Sequence, residues 1–283
     1  MTAVLAPADP RVTPWRDGVA SRSLEGIVPA EVYLDAKTMA CAVAAAGVHR
    51  SPDLASEQMD QILFGEAFEA IEEEAGGFVW GQARRDGYVG FVAAAALAAP
   101  APEPTHRIAA VRTYAFAEPS IKSRASGPYS MNALVTVEAQ EGRLCKVAGA
   151  GWMAAEHLAP VGVFETDVAA VAERFAGTPY LWGGRESLGL DCSGLVQAAL
   201  FACGLACPRD ADQQAGLGHE IARGDFRRGD LVFWRGHVAI GLDDTRIVHA
   251  NGHHMMVAIE PLEAALGRIE AAGVGKPTAF RRL

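Results

Sequence analysis

The spacing of apolar residues changes character once along the chain. Between Lys37 and Ala99 it comes in short β-prone stretches broken by turn signals: Ala42 to Val48, Gln61 to Ile71, Gly77 to Ala83 and Tyr88 to Val92. The run GFVWGQARRDGYVGFV, with Asp86-Gly87 inside it, is a hairpin signal, because Asp-Gly supplies the positive φ that a tight turn between strands needs. The same texture returns from Thr105 to Pro160, at Arg107 to Ala115, Ala133 to Ala139, Leu144 to Val147 and Gly151 to Met153. Both segments end alike, GYVGFVAAAAL against AGWMAAEHL. This predicts two β-barrels of about 55 to 60 residues, each too small to be very stable alone and leaning on the other or on the C-terminal part of the chain.

From Val163 the period becomes helical. Val168, Val171, Ala172 and Phe175 fall at i, i+3, i+4 and i+7 behind Thr166 as a cap, and Gly177 and Pro179 stop the helix. A second helix, about Cys192 to Cys203, is capped by Asp191 and ended by Gly204; it is apolar nearly all round and so belongs in the centre of a domain. Asp230 to Trp234, His237 to Leu242 and Arg246 to Ala250 read as three antiparallel strands. The expected organisation is an extended arm over residues 1–35, carrying Pro7, Pro10 and Pro14, then barrels over 36–100 and 105–160, and an α+β domain over 163–283. The stretch APAPEPT, with prolines at 100, 102 and 104, makes a stiff linker between the barrels.

Composition narrows the function classes. With 283 residues, half of them hydrophobic, and a formal net charge of −9, the chain has material for packed cores and no long-range attraction for phosphate backbones or anionic lipid. Nucleic acid and membrane are therefore not expected partners. The most apolar run, Phe91 to Ala99, is far short of the roughly 20 residues that span a bilayer. The first thirty residues lack a basic start followed by an apolar core, so a cytoplasmic location is expected. Five cysteines at irregular spacing (41, 145, 192, 203, 207) read as free thiols, not as a disulfide framework.

Of these thiols only Cys192, in LDCSGLVQAAL, lies where its surroundings would activate it: at the first turn of a helix, where unpaired N–H groups and the dipole favour thiolate. Alone this is weak, since a cysteine in an apolar helix is commonly an inert small hydrophobe. His237 in RGHVAIGL opens one strand and His249 in RIVHANG closes the next, and adjacent antiparallel strands bring the two imidazoles within reach. Cys192, His237 and His249 then fit a nucleophile, its base and an orienting third group. Cys203, Cys207 and His219 lack a second pair at zinc spacing. His253-His254 with His249 is a poor metal site on one strand edge, because adjacent residues point to opposite faces. LWGGRESLG lacks the Lys-Ser/Thr of a phosphate loop.

The set PYLWGGRESLGLDCSGLVQ, GDLVFW, GHVAIGL and VHANG resembles the NlpC family of papain-like cysteine peptidases, which cut bacterial cell-wall peptides. The resemblance covers about residues 165 to 283, and the preceding segments resemble bacterial SH3-like domains. It implies a multidomain fold: two small all-β SH3-like barrels followed by an α+β papain-like peptidase domain. Cys192 would be the nucleophile, His237 the base and His249 the third residue, with no metal or organic cofactor. Two SH3-like domains before the peptidase domain are similar to the γ-D-glutamyl-L-diamino acid endopeptidases. Those accept a free N-terminal L-Ala followed by γ-linked D-Glu, and cut between the D-Glu and an L-diamino acid such as diaminopimelate, with the preferred diamino acid left open.

Under that resemblance CPRDADQQ supplies Arg209 for the D-Glu α-carboxylate and Asp210 for the ammonium, while Ala211 stands where Ser is common, with loss of one hydrogen bond. Tyr180 and Trp182 form the aromatic wall, and Asp191 and Ser193 flank the nucleophile as substrate-binding residues. Glu66 in LFGEAF and Tyr88 in DGYVGF are candidates to close over the ammonium, against the alternative of two barrel surface residues. The expected function is hydrolysis of murein-derived peptides for recycling. The alternatives are a non-catalytic wall-peptide binding protein and a papain-like acyltransferase or amidase. The oligomeric state is left open.

Overall fold

The computed structural model describes residues 9–100 and 102–283; residues 1–8 of the expected arm and Ala101 of the linker lie outside the described residues. The chain divides into two compact units, 1–102 and 103–283.

The first unit is built on a seven-stranded antiparallel sheet in the order Leu97–Ala98, Lys37–Cys41, Ala67–Glu74, Phe78–Ala83, Val89–Ala93, Ala45–His49, Gln58–Leu63. Its central strands are apolar on both faces. Val79 lies opposite Val92 and joins Val48, Ile62 and Phe68 in one core, while Trp80 lies opposite Phe91 and joins Phe78 in another. Strands with two apolar faces need cover on both sides. The second face is covered by the segment expected to be an extended arm, which folds into a small sheet of Trp15–Arg16, Val19–Ser21 and Val32–Leu34. The Arg16 guanidinium lies 4.8 Å from the Trp80 ring centre and 5.0 Å from that of Phe91, and it pairs with Glu72 and Glu74. The expected hairpin turns at Gly87, with φ +81°. The stretch Gln61 to Ile71, read as one strand, is two: Gly65, at φ +76°, reverses the chain between Leu63 and Ala67.

In the second unit, residues 105–160 form a three-stranded sheet (Leu134–Val135, His106–Ile108, Leu158–Pro160) and a five-stranded one (Ala125–Ser130, Arg112–Phe116, Gly151–Ala154, Leu144–Val147, Val137–Glu141). The sequence rhyme has a structural counterpart. Val89–Ala93 and Gly151–Ala154 each run into a 3-10 turn, Ala94–Ala96 and Ala155–His157, and then a short strand. The residues before these turns, Ala93 and Ala154, have φ/ψ of −60°/125° and −60°/124°. This segment is tied to the rest of its unit by buried polar contacts. Asn132 Nδ2 donates to the Ala198 carbonyl at 2.8 Å, the Ser187 N–H donates to Ser130 Oγ at 2.9 Å, and Met131 enters the central core.

The remainder is a six-stranded antiparallel sheet between helices. Its strands are β1 (His219–Glu220), β2 (Leu231–Trp234), β3 (His237–Gly241), β4 (Arg246–Asn251), β5 (Met256–Pro261) and β6 (Ala279–Arg282), in the order β1-β6-β2-β3-β4-β5. Helix α1 (Val168–Glu173) is capped by Asp167, not Thr166: the Asp167 carboxylate accepts from the Ala170 N–H at 3.1 Å. Helix α2 (Cys192–Ala202) is buried along its whole length, as its all-round apolar sequence predicts, and packs with Val238, Ile240 and Val248 of one sheet face. Short α3 (Ala211–Gln214) follows it, and α4 (Leu262–Ala271) covers the other face through Leu262, Ala265, Leu266 and Ile269. Among the described residues no helix is long and apolar enough to cross a membrane.

Leu195, wholly buried in the N-terminal half of α2, is the side chain on which this packing can be tested. Leu195→Ala is expected to lower the unfolding free energy by about 3 kcal/mol, measured by urea denaturation.

Candidate active site

The start of α2 is organised by one carboxylate. Asp191 Oδ1 accepts from the Gly194 N–H (2.7 Å), Ser193 Oγ (3.2 Å) and Arg209 Nη1 (3.0 Å). Its Oδ2 accepts from the Gly183 N–H (2.9 Å) and Arg209 Nη2 (2.6 Å). This is an N-cap reinforced by a two-pronged, buried ion pair. It pulls the glycine loop against the helix so closely that a Cβ on Gly194 would stand 2.0 Å from the Gly184 carbonyl oxygen. The glycines of LWGG and CSG are therefore needed for close approach of two backbones.

This geometry changes the expected roles of two residues. Arg209 is 1 % exposed, with Nη1 and Nη2 directed to Asp191 and Ser193, so here it is the counter-ion of the helix cap, not an open fork for a substrate carboxylate. Ser193 is likewise buried; its hydroxyl donates to Asp191 and accepts from Arg209 Nη1 at 2.8 Å. Asp191 itself is buried and serves the cap. Asp210 is half-buried at the start of α3 in a capping box with Gln213, whose Oε1 accepts from the Asp210 N–H at 3.2 Å. Ala211, the departure from Ser, is the buried first residue of α3.

Cys192 is the first residue of α2, close enough to the backbone N–H groups of Ser193 and of Val238, the residue after His237, for them to favour its thiolate. The expectation that the helix start alone would favour thiolate is overturned. Burial, then the adjacent Asp191 charge, pushes the thiol up to about 12, against the N–H donors and Arg209. Burial and the neighbouring His249 push His237 down to about 3. The resting pair is thus an uncharged thiol and an uncharged imidazole.

His237 and His249 meet directly, Nε2 to Nδ1 at 2.8 Å. Trp234 lies beside His237 with ring centres 5.6 Å apart. A further partner, not expected from the sequence, stands behind them: His249 Nε2 lies 2.7 Å from Glu260 Oε1, and Arg268 of α4 donates to that same oxygen. Register explains the row. His249 lies opposite Ala258, two positions before Glu260 on β5, so the Glu260 side chain falls on the same face as His249. The signal in the sequence is the parity of Glu260 with Ala258 in MVAIEP, readable only once the β4–β5 pairing is known.

Tyr180 is half-buried near Cys192. Burial, then the charges of Cys192 and Asp191, hold its phenol protonated well above the usual range, leaving an O–H donor there. Trp182 is 58 % exposed. Glu66 and Tyr88 belong to the first unit, and both are buried, at 1 % and 4 % exposure, which overturns the surface-residue alternative. The Glu66 carboxylate accepts from the Leu63 N–H at 2.9 Å and from Arg85 at 3.0 Å.

His249, His254 and Glu260 bring their ligand atoms within 4.8 Å of one another. His254 reaches this group because residues 252–255 form a turn, not a continued strand. Both nitrogens of His249 are already engaged and Glu260 is shared with Arg268, so the donor chemistry suits a hydrogen-bond relay better than a cation.

Residues 177–267 match the model of the NlpC/P60 family, and residues 48–97 match that of the bacterial dipeptidyl-peptidase Sh3 domain. The chain carries an NlpC/P60 domain. Over 98 residues it is 41 % identical to dipeptidyl-peptidase 6 of Lysinibacillus sphaericus, covering 34 % of this chain and 36 % of that protein. Over 68 residues it is 41 % identical to a gamma-D-glutamyl-L-lysine dipeptidyl-peptidase of Bacillus subtilis, covering 24 % and 23 %. These matches span about a third or less of the relatives' own length. The crystal structure of an NlpC/P60 family protein from Bacillus cereus superposes with a TM-score of 0.75 at 19 % identity, over 87 % of this chain and 99 % of that one, a likeness of fold.

Two outcomes are expected from the charges around this NlpC/P60 site. Arg209→Ala, which leaves Asp191 buried and unpaired, is expected to cost about 3 to 5 kcal/mol in denaturant unfolding, and adding Asp191→Asn should recover part of it. Because His237 binds its proton more weakly folded than unfolded, the unfolded chain holds more protons between about pH 6.5 and 3. Stability should be full above pH 6.5 and fall with acid across that window, by about 1.4 kcal/mol per pH unit for this group. Glu260, held down to about 2, adds to the loss below its ordinary value of 4.5. Unfolding titrations of wild type and His237→Ala check the slope, which the variant should flatten.

Proposed function

We propose that the protein is a cysteine peptidase that hydrolyses the bond between γ-D-Glu and an L-diamino acid in murein peptides with a free N-terminal L-Ala. The observation that carries it is the convergence of Cys192, at the start of a buried helix, on the strand that opens with His237, itself hydrogen-bonded to His249. The NlpC/P60 match supports the peptidase class, and a relative named for γ-D-glutamyl-L-lysine supports the bond. Residues 105–160 are proposed as a second SH3-like domain, on the shared strand, 3-10 turn and strand at the end of both segments. The domain limits 36–100, 105–160 and 163–283, with an N-terminal segment of 1–35, belong to the same reading.

In the mechanism His237 takes the thiol proton as Cys192 Sγ bonds to the γ-carbonyl carbon of D-Glu. The oxyanion is held by N–H groups at the helix start and by the protonated Tyr180 O–H. The C–N bond then breaks, and His237 gives its proton to the departing amine. Water, deprotonated by His237, hydrolyses the thioester and regenerates the thiol. Asp210 is proposed for the substrate ammonium and Trp182 for the outer wall of the cleft. The five free cysteines fit a reducing compartment, so we place the enzyme in the cytoplasm, recycling wall peptides.

The test is mass spectrometry of products from L-Ala-γ-D-Glu-diaminopimelate, its lysine analogue, the N-acetylated peptides and intact sacculi, with Cys192→Ala as control. Cleavage confined to free peptides, abolished in the variant and with a raised KM in Asp210→Asn, is expected. Attack on blocked peptides or sacculi, or a secreted location, would overturn the recycling reading, and no cleavage at all would favour a binding protein.

A further inference from the structure

We propose that Glu260, anchored by Arg268, is a positioning residue that decides which nitrogen of His237 is free to take the Cys192 proton, an inference that rests on the peptidase reading. The argument is a count of hydrogens along the row. An ionised carboxylate only accepts, so the hydrogen in the 2.7 Å contact between Glu260 Oε1 and His249 Nε2 sits on Nε2. A neutral His249 protonated at Nε2 has its lone pair at Nδ1. The hydrogen in the 2.8 Å contact between His249 Nδ1 and His237 Nε2 must then belong to His237. A neutral His237 protonated at Nε2 keeps its lone pair at Nδ1, on the ring side away from His249, as a base requires.

His249 cannot impose this order alone. Without a carboxylate behind it, a neutral His249 can equally carry its hydrogen on Nδ1 and donate to His237 Nε2. That tautomer would put the His237 hydrogen on Nδ1 and leave the thiol no acceptor. Glu260 removes the ambiguity, and Arg268 keeps Glu260 a carboxylate. Burial works against the charged form, yet the bonds and charges of His249 and Arg268 hold its pKa to about 2. The other ionisable groups facing the row are His254, on the His249 side, and Asp191, Arg209 and Tyr180 around the thiol. The row also serves the charged step. When the thiol proton moves to His237 Nδ1, the imidazolium keeps its Nε2–H bond to His249, and Glu260 faces the new charge through one neutral ring.

Nitrogen-15 NMR of the intact chain reads the tautomers directly, and mass spectrometry of iodoacetamide labelling reads the reactivity of Cys192 without any substrate. Wild type is expected to carry the Nε2–H tautomer at both His237 and His249; an Nδ1–H tautomer at either ring overturns the proposal before any variant is made. Glu260→Ala should mix the tautomers and slow Cys192 alkylation at pH 7 and peptide cleavage alike, on the order of 100-fold. Glu260→Gln, whose amide oxygen can still accept from His249, should restore the tautomer and most of the alkylation rate. A folded Glu260→Ala with wild-type tautomers and alkylation would make Glu260 merely structural. Tautomers and alkylation that respond as stated, in a protein that cleaves no γ-D-glutamyl peptide, would sink the substrate reading and leave this one standing.

Discussion

The buried pair of Asp191 and Arg209 is the constraint from which the site is built. A carboxylate at the cap of a helix usually satisfies one or two N–H groups. This one takes donors from the helix (Gly194), the glycine loop (Gly183), a neighbouring hydroxyl (Ser193) and both terminal nitrogens of Arg209. It therefore joins three segments of chain and sets the direction in which Cys192 leaves the helix. The cost of burying the carboxylate is offset because the guanidinium is buried with it in fork geometry. Gly194 and Gly184 are consequences of the same pair, since the loop and the helix must nearly touch for both oxygens of Asp191 to be used.

A second ion pair, Glu260 with Arg268, stands behind His249. Between the two pairs lie Cys192, His237 and His249, all pushed by burial toward their uncharged forms. The fixed charges are thus paired off around three groups that burial pushes toward neutrality. Transfer of one proton from sulfur to imidazole creates two charges where there were none. Such a step gains most from dipoles already in place, and the N–H groups of Ser193 and Val238 lie close to the sulfur where the negative charge forms.

Much of this is legible in the sequence. The all-round apolar α2, its Asp191 cap and the pairing of β3 with β4 follow from period and turn chemistry, and so does the meeting of the two histidines. The first unit's hairpin at Asp86-Gly87 follows in the same way. Contacts between residues far apart in sequence are not legible there. Glu260 reaches His249 only through the β4–β5 register, and the arm's strands are ordered by the aromatic face of Trp80 and Phe91, which hides in a strand apolar on both sides. Helix α4 is readable, since Leu262, Ala265, Leu266 and Ile269 repeat at helical spacing, but the Arg268 it delivers beside Glu260 is not.

Arg209 shows the limit most clearly. A charged pair such as Arg209-Asp210 in a short loop reads as exposed, because neighbouring charges rarely share a buried place. The structure separates them: Arg209 turns inward to a carboxylate 18 positions earlier, and Asp210 stays half outside to cap α3. A motif that pairs them therefore records two requirements and not one. Its arginine holds the helix that carries Cys192 in place, and its aspartate caps the helix that follows.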